Sequence, residues 1–333
     1  MQDSAAPDFL VLGGGGVLGD AWMCALLAGL EESGRLEPAK SGRFVGTSAG
    51  SIVATRLAAG VDLPAYVRHR LSRNGTSRQG NEGSAPAPVA EAAERGASGD
   101  SPDPADGSPP AAGLEAAIPV ASRLGAAALP LDGLAGRWVR RTILRRIPEG
   151  EEELGRLGTT MERIAPEWDP RLKIVGVEST TGERVVFSSE YDHGLRVSEA
   201  VRASCAIPGV FRAVEGNRGT YVDGGVWSPA NLDAVHSSGG ETVLALLPIG
   251  ASADAGSRRY RLAAGVFRLI VAGEVLRLRN RGVRVVTVAP DAASAAAIGP
   301  DRMDGSRESE VVRAGLTRGR SLAGPLSGWL SGR

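Results

Sequence analysis

Three short stretches of this sequence carry the residue types and spacing that acyl transfer requires. Gly46-Thr47-Ser48-Ala49-Gly50 sets a serine between two glycines. This is the pattern of a nucleophile elbow, in which serine occupies a strained turn between strand and helix and its neighbours must be small. The same residues also suit a glycine-rich turn in which Ser48 only caps the following helix. Gly13-Gly14-Gly15-Gly16-Val17-Leu18-Gly19 begins with four residues lacking a Cβ. Its N–H groups can therefore converge on one point and hold an oxyanion. The run fits GxGxxG as well, at Gly14, Gly16 and Gly19, so a dinucleotide loop competes with the oxyanion reading. Against the dinucleotide stand Asp20, where the helix is expected to open and repel a pyrophosphate, and the lack of an acidic residue ending a second strand. Asp223-Gly224-Gly225 can turn sharply and leave its carboxylate facing a cleft, although an Asp-Gly turn alone is most often a surface turn.

A serine nucleophile needs a base. His69, His193 and His236 are the only imidazoles in the chain. His69 lies between Arg68 and Arg70 on what reads as a solvated face, and His193 precedes Gly194 in a turn. His236 follows Asp223 in the order that α/β-hydrolases use, but those place the elbow deeper in the sheet than a second strand. A carboxylate base, Asp223, and a triad through His236 thus both stand on residue types alone. Cys24 and Cys205 are far apart, and no CxxC, HExxH or clustered Cys/His spacing points to a metal. No metal or cofactor is expected.

These residues need elements to position them. Phe9–Leu12 and then Phe44 and Val45 are short apolar runs leading into the glycine loop and the elbow. Helical spacing follows each, from Asp20 and from Ser51 to Ala59. Leu172–Val177 and Arg184–Ser188 read as a hairpin turned at Thr181-Gly182, Val197–Cys205 as a helix, and Thr220–Val222 and Thr242–Leu247 as strands. Arg258–Gly282 reads as a long helix and Val283–Ala289 as a strand. The spacing predicts a helix over 129–147, carrying Arg137, Arg140, Arg141, Arg145 and Arg146 beside Trp138. That helix suits either an anionic lipid surface or a core-docked element with a solvated arginine face. A stretch over 75–113, rich in Gly, Ser, Pro and Ala, is expected to be a disordered insertion. The stretch 291–333 is expected to be a helical tail interrupted at Pro325.

Basic and acidic residues balance at 38 each, so no overall field recruits nucleic acid. No run approaches the ~20 apolar residues of a membrane span, so any membrane contact is expected to be peripheral. The residues up to Pro7 carry no positive charge, and the apolar run after them is short, which reads as a core strand and not a signal peptide. A cytoplasmic protein, if anything peripheral to the inner membrane face, is the expectation.

The glycine loop, the GTSAG elbow, the segment Ala203-Ser204-Cys205-Ala206-Ile207-Pro208-Gly209-Val210-Phe211 and the DGG turn occur in the order seen in patatin-like phospholipases. The chain resembles that family from Phe9 to Gly225, apart from the insertion. The resemblance implies Ser48 as nucleophile, Asp223 as base, Gly14, Gly15 and Gly16 as oxyanion donors, and Gly13, Gly19, Gly46, Gly50, Gly224 and Gly225 as supporting positions. It also implies a three-layer α/β sandwich with a central, largely parallel sheet, in one domain with its core over about 8–290. One position departs: the family carries Arg or Lys before the last glycine of the loop, and here it is Leu18. The expected function is hydrolysis of carboxylic esters of lipids through an acyl-enzyme. The rival is a lipid-binding or regulatory protein of the same fold without turnover.

Overall fold

A computed structural model describes residues 5–76, 133–191, 193–250 and 258–332 of the chain. The insertion expected over 75–113 lies outside these apart from its first two residues, which end a helix, and residues 129–132 of the expected basic helix lie outside as well.

Among the described residues eight strands form one sheet: β1 Phe9–Leu12, β2 Arg43–Thr47, β3 Leu172–Glu178, β4 Arg184–Phe187, β5 Val214–Gly216, β6 Gly219–Asp223, β7 Thr242–Leu246 and β8 Arg284–Val288. The neighbours β3-β2-β1-β7-β8 run parallel, while β4 and β6 pair antiparallel with β3 and β5 antiparallel with β6. Among the described residues the α-helices are α1 Gly16–Glu31, α2 Ala49–Ala58, α3 Leu63–Thr76, α4 Gly133–Leu144, α5 Gly155–Ile164, α6 Val197–Cys205, α7 Arg258–Asn280, α8 Ala292–Ile298 and α9 Glu308–Leu330.

Alternation along the strands sends side chains to two faces. Leu10, Leu12, Phe44, Leu172, Ile174, Leu244 and Leu246 face a layer containing α1, α2, α3, α5, α6, α8 and α9. Phe9, Val11, Val45, Val175, Val243 and Val285 face α7, and Val177 and Val222 on the same side face α4. The result is the expected three-layer α/β sandwich.

The register around β3 has a consequence for the site. β4 pairs with Ile174–Val177 of β3, overlapping both the residues that pair with β2 (Leu172–Val175) and those that pair with β6 (Gly176–Glu178). A strand has two edges, so β2 and β6 must share the edge opposite β4. They meet there head to head: β2 ends with Thr47 opposite Val175, and β6, arriving from the other direction, ends with Asp223 opposite Gly176.

Several local expectations change. α1 starts at Gly16, a turn before Asp20, because packing of Leu18 and contact with Pro248 outweigh the poor helix propensity of glycine. Asp20 therefore lies inside the helix, where its carboxylate pairs with Arg56 of α2 and with Arg70 of α3 at 2.8 Å, and Arg70 pairs with Glu308 of α9 at 2.6 Å. Burial works to raise the Asp20 pKa, but the two guanidiniums prevail and hold it below the ordinary carboxylate value. The stretch 291–333 forms α8 and α9. α9 continues through Pro325 without a break and buries Val311, Val312, Ala323 and Leu326 in the core, and this packing compensates for the one N–H that proline removes. α3 was not anticipated, although Asp62 caps it by accepting the Ala65 N–H at 2.8 Å and Pro64 stands in its first turn.

The four-charge cluster ties α1, α2, α3 and α9 together. Asp20→Ala leaves the Arg56 guanidinium buried without its main counter-charge and is expected to cost about 3–5 kcal/mol in urea unfolding. A loss under about 1 kcal/mol, typical of an exposed pair, would contradict the buried character of the cluster.

Candidate active site

Ser48 stands at the junction of β2 and α2 with φ 52° and ψ −124°, a conformation costly for any residue with a side chain. Its side chain makes no cap hydrogen bond to α2, which removes the helix-cap reading. The flanking glycines are fixed by close approach. A Cβ on Gly46 would lie 2.5 Å from the Ser51 Cα, and one on Gly50 only 1.9 Å from the Leu12 carbonyl oxygen. The elbow is thus pressed against its own helix and against the end of β1, where the glycine loop starts.

Hydrogen bonds to side chains maintain the turn. The Ser48 N–H donates to Ser204 Oγ at 2.9 Å, and the Ser204 hydroxyl donates to the Val175 carbonyl at 2.6 Å, linking the elbow to β3. Two residues on, the Ala206 carbonyl accepts the Asp223 N–H at 3.0 Å. The stretch after α6 therefore holds both Ser48 and Asp223, which gives a physical reason for the segment Ala203–Phe211. Ser51 Oγ donates to the Ser48 carbonyl at 2.7 Å, as expected of a helix residue.

Asp223 is 5% exposed and Ser48 is partly exposed, so the carboxylate lies beneath the hydroxyl. Burial pushes the Asp223 pKa up from 3.8 to about 6, against the Gly225 N–H, 2.7 Å from Oδ1, and the Ser48 hydroxyl, both of which favour the ionised form. A group that takes up and releases a proton near neutrality is thereby set beside Ser48. No imidazole competes for the position. His236 shares a surface hollow with Arg43, Glu241 and Arg281 at the start of β2, about 16 Å along the strand from Ser48 at ~3.3 Å per residue. His193 packs edge-on against Phe187 at 5.3 Å, and His69 lies on α3.

The glycine loop passes directly over the elbow: a Cβ on Gly14 would lie 3.5 Å from the Ser48 Cβ. The Gly14 N–H already donates to the Pro229 carbonyl at 2.9 Å and the Gly13 N–H to the Leu246 carbonyl at 2.9 Å. Gly14 is therefore corrected from oxyanion donor to structural position, since a committed N–H is not available to a substrate. Among the described residues the N–H groups of Gly15 and Gly16 donate to no backbone carbonyl. The start of α1, where a dinucleotide would set its pyrophosphate, is covered instead: the Arg302 carbonyl accepts the Leu18 N–H at 2.9 Å, and Met303 lies against Gly16. Leu18 itself is fully buried and brings no charge to the loop.

Two residues of this neighbourhood escaped the sequence reading. Asn231, fully buried with φ 51°, donates from Nδ2 to Thr47 Oγ1 at 3.1 Å, to the Gly224 carbonyl at 3.2 Å and to the Ser228 carbonyl at 2.7 Å. It joins the residue before Ser48 to the residue after Asp223. Glu274 of α7 accepts the Leu232 N–H at 3.0 Å, and burial, with Asp233 nearby, raises its pKa to about 7. Neither has a motif around it; the turn-forming residue types of Ser228-Pro229-Ala230-Asn231 were the available signal. Trp227, just after this turn, packs against the guanidiniums of Arg140, 3.8 Å from its ring centre, and Arg184, at 5.2 Å.

Comparison with known proteins gives one family match over part of the chain and several distant structural likenesses. A family model described as patatin-like phospholipase matches residues 110–236, a span that includes Asp223 and begins after Ser48 and the glycine loop. Among curated proteins none matches. Of the solved structures, VipD from Legionella pneumophila is similar at 15% identity and a TM-score of 0.42, covering 96% of this chain and 67% of that one. The type III effector protein ExoU is similar at 20% identity and a TM-score of 0.31, covering 94% of this chain and 53% of that one. ExoU in complex with SpcU from the type III secretion system of Pseudomonas aeruginosa gives 16% identity, a TM-score of 0.35 and coverage of 95% and 52%. The chain thus spans about half to two thirds of the length of these proteins. Scores at this level leave the fold to be read from the strand order above.

The raised Asp223 pKa has a defined effect on stability. The carboxyl group supports the fold most at pH below its ordinary value of 3.8, and that support is lost as pH rises through about 6. Asp223→Asn is therefore expected to be more stable than the wild type at pH 8, by up to about 3 kcal/mol, with the difference shrinking toward pH 4. Thermal midpoints of the two proteins across that range check this; a constant difference would contradict it.

Proposed function

With its resemblance to patatin-like phospholipases as the premise, we propose that this protein is a serine acyl hydrolase acting on carboxylic esters of lipids through a Ser48–Asp223 dyad. The observation that carries the reading is the head-to-head meeting of β2 and β6 on one edge of β3, which supports direct proton exchange between the two side chains. In the first step the Asp223 carboxylate takes the Ser48 proton as Oγ bonds to the ester carbonyl carbon. Negative charge moves to the carbonyl oxygen, where the Gly15 and Gly16 N–H groups stabilise it. Collapse breaks the bond to the alcohol oxygen, which leaves with the proton held on Asp223. Water then attacks the acyl-enzyme and gives its proton to Asp223, and the second collapse returns that proton to Ser48 and releases the fatty acid.

Burial of Asp223 serves this chemistry, because a carboxylate of ordinary pKa is a weak base toward a serine hydroxyl. Leu18 brings no cation to the loop, so the reading extends to lipid esters as a class and names no head group. No helix among the described residues is long and apolar enough to cross a membrane, and contact with the lipid is proposed to be peripheral, from the cytoplasmic side.

Ser48→Ala and Asp223→Ala are each expected to lower hydrolysis of a p-nitrophenyl ester by on the order of 1000-fold in folded protein. His236→Ala is expected to leave it unchanged. Full activity in either of the first two would end the dyad reading, and loss in the third would restore the triad. A folded wild type that turns over no ester and is not labelled by a fluorophosphonate would favour the non-catalytic lipid-binding protein.

A further inference from the structure

We propose that the outer face of α4 docks this protein on an anionic lipid surface, with Trp138 entering the headgroup layer and Arg141, Arg145 and Arg146 meeting lipid phosphates and carboxylates. The two faces of the helix differ sharply. On the inner face Arg140 is 2% exposed, stacks on Trp227 and donates from Nε to the Gly182 carbonyl at 3.0 Å, and Leu144 packs with Val177, Val222 and Val226. On the outer face Trp138 is 67% exposed, an unusual setting for a residue type that is mostly buried. Arg141 and Arg145 follow it at helical spacing, and the turn continues through Arg146, whose N–H donates to the Ile143 carbonyl at 3.0 Å. These three guanidiniums are exposed and form no ion pair among the described residues, whereas Arg137 pairs with Glu183.

One exposed indole followed by three arginines without an ion pair among the described residues is the composition of an interfacial helix: the aromatic ring prefers the headgroup boundary, and each cation gains from anionic lipid. Charge argues against a second copy of this chain as the occupant, since a two-fold contact through this face would set like charges opposite one another. The chain as a whole has no net charge, so the patch is a local excess.

Position strengthens the inference. α4 rests on the turn between β3 and β4, beyond the C-terminal end of β3, at the end of the sheet where Ser48 lies. Trp227, its anchor, is four residues from Asp223 and follows the same turn. Docking through α4 therefore brings lipid to the end of the sheet that carries the candidate site. The need for lipid there rests on the proposed hydrolase reading, but the docking itself requires no turnover.

The test uses the full chain carrying Ser48→Ala, so that vesicles are not consumed. Sedimentation is measured with vesicles of phosphatidylcholine alone and of an equal-parts mixture with phosphatidylserine. Binding is expected to the mixture, much more weakly to phosphatidylcholine, and to fall as salt is raised. Arg141→Ala with Arg145→Ala is expected to weaken binding to the mixture by roughly five-fold per arginine. Trp138→Ala is expected to weaken it too, with circular dichroism unchanged in both variants. In chains that keep the wild-type Ser48 the same substitutions are expected to leave hydrolysis of a soluble p-nitrophenyl ester unaltered. No binding to the mixture, equal binding by the variants, or sedimentation showing a dimer that Trp138→Ala dissociates would overturn the proposal. Vesicle binding that depends on Trp138 in a protein without esterase activity would sink the hydrolase reading and leave the docking face standing.

Discussion

The geometry of the candidate site depends on one pairing constraint: β2 and β6 share a single edge of β3 because β4 occupies the other. Two strands approaching along one edge from opposite directions must stop where they meet, and the residues at the meeting point are Thr47 and Asp223. The chain beyond Thr47 has to turn away at once, into α2. Ser48 makes that turn in a conformation that only tight surroundings would impose. The strain at Ser48 and the burial of Asp223 thus have one origin, the edge of β3.

The surroundings oppose both costs. Ser204 holds the Ser48 N–H, Ala206 holds the Asp223 N–H, and Asn231 spans the two turns from the other side. The Asn231 bonds are buried, where an unmade one costs more than a made one gains. Together these contacts leave the Ser48 hydroxyl and the Asp223 carboxylate as the two side chains at the junction on which the proposed dyad rests. The buried cluster of Asp20, Arg56, Arg70 and Glu308 does similar work at a distance, fixing α1 and α2, whose N-termini carry the glycine loop and the elbow.

Much of this was legible in the sequence, for physical reasons. Glycines at 46 and 50 are dictated by backbone contacts within a few residues of Ser48 or with the adjacent strand, so a local pattern records them. Strand and helix periodicity gave the strand-turn-helix units, and the family resemblance carried by the order of the motifs implied the three-layer sandwich and the proposed pairing of Ser48 with Asp223. Contacts between elements distant in sequence left no such trace. Asp20 read as a charge at a helix mouth because nothing nearby announces Arg56 and Arg70 as its partners. Gly14 read as a free donor because the Pro229 carbonyl that takes its N–H is supplied from the far side of the chain. Ser204 stood only as one residue of a motif segment, without its partners, and Asn231 was not singled out at all. Pro325 looked like an interruption, and only packing of α9 into the core shows why the helix continues.

The central claim is that a buried carboxylate, and no imidazole, sets the reactivity of Ser48. The rate at which a fluorophosphonate phosphonylates Ser48, followed across pH, tests it most directly. The account predicts a rate that rises through a single ionisation near pH 6, is lost in Asp223→Asn and is unchanged in His236→Ala. A rate without that ionisation, or one that survives Asp223→Asn and falls in His236→Ala, would contradict it.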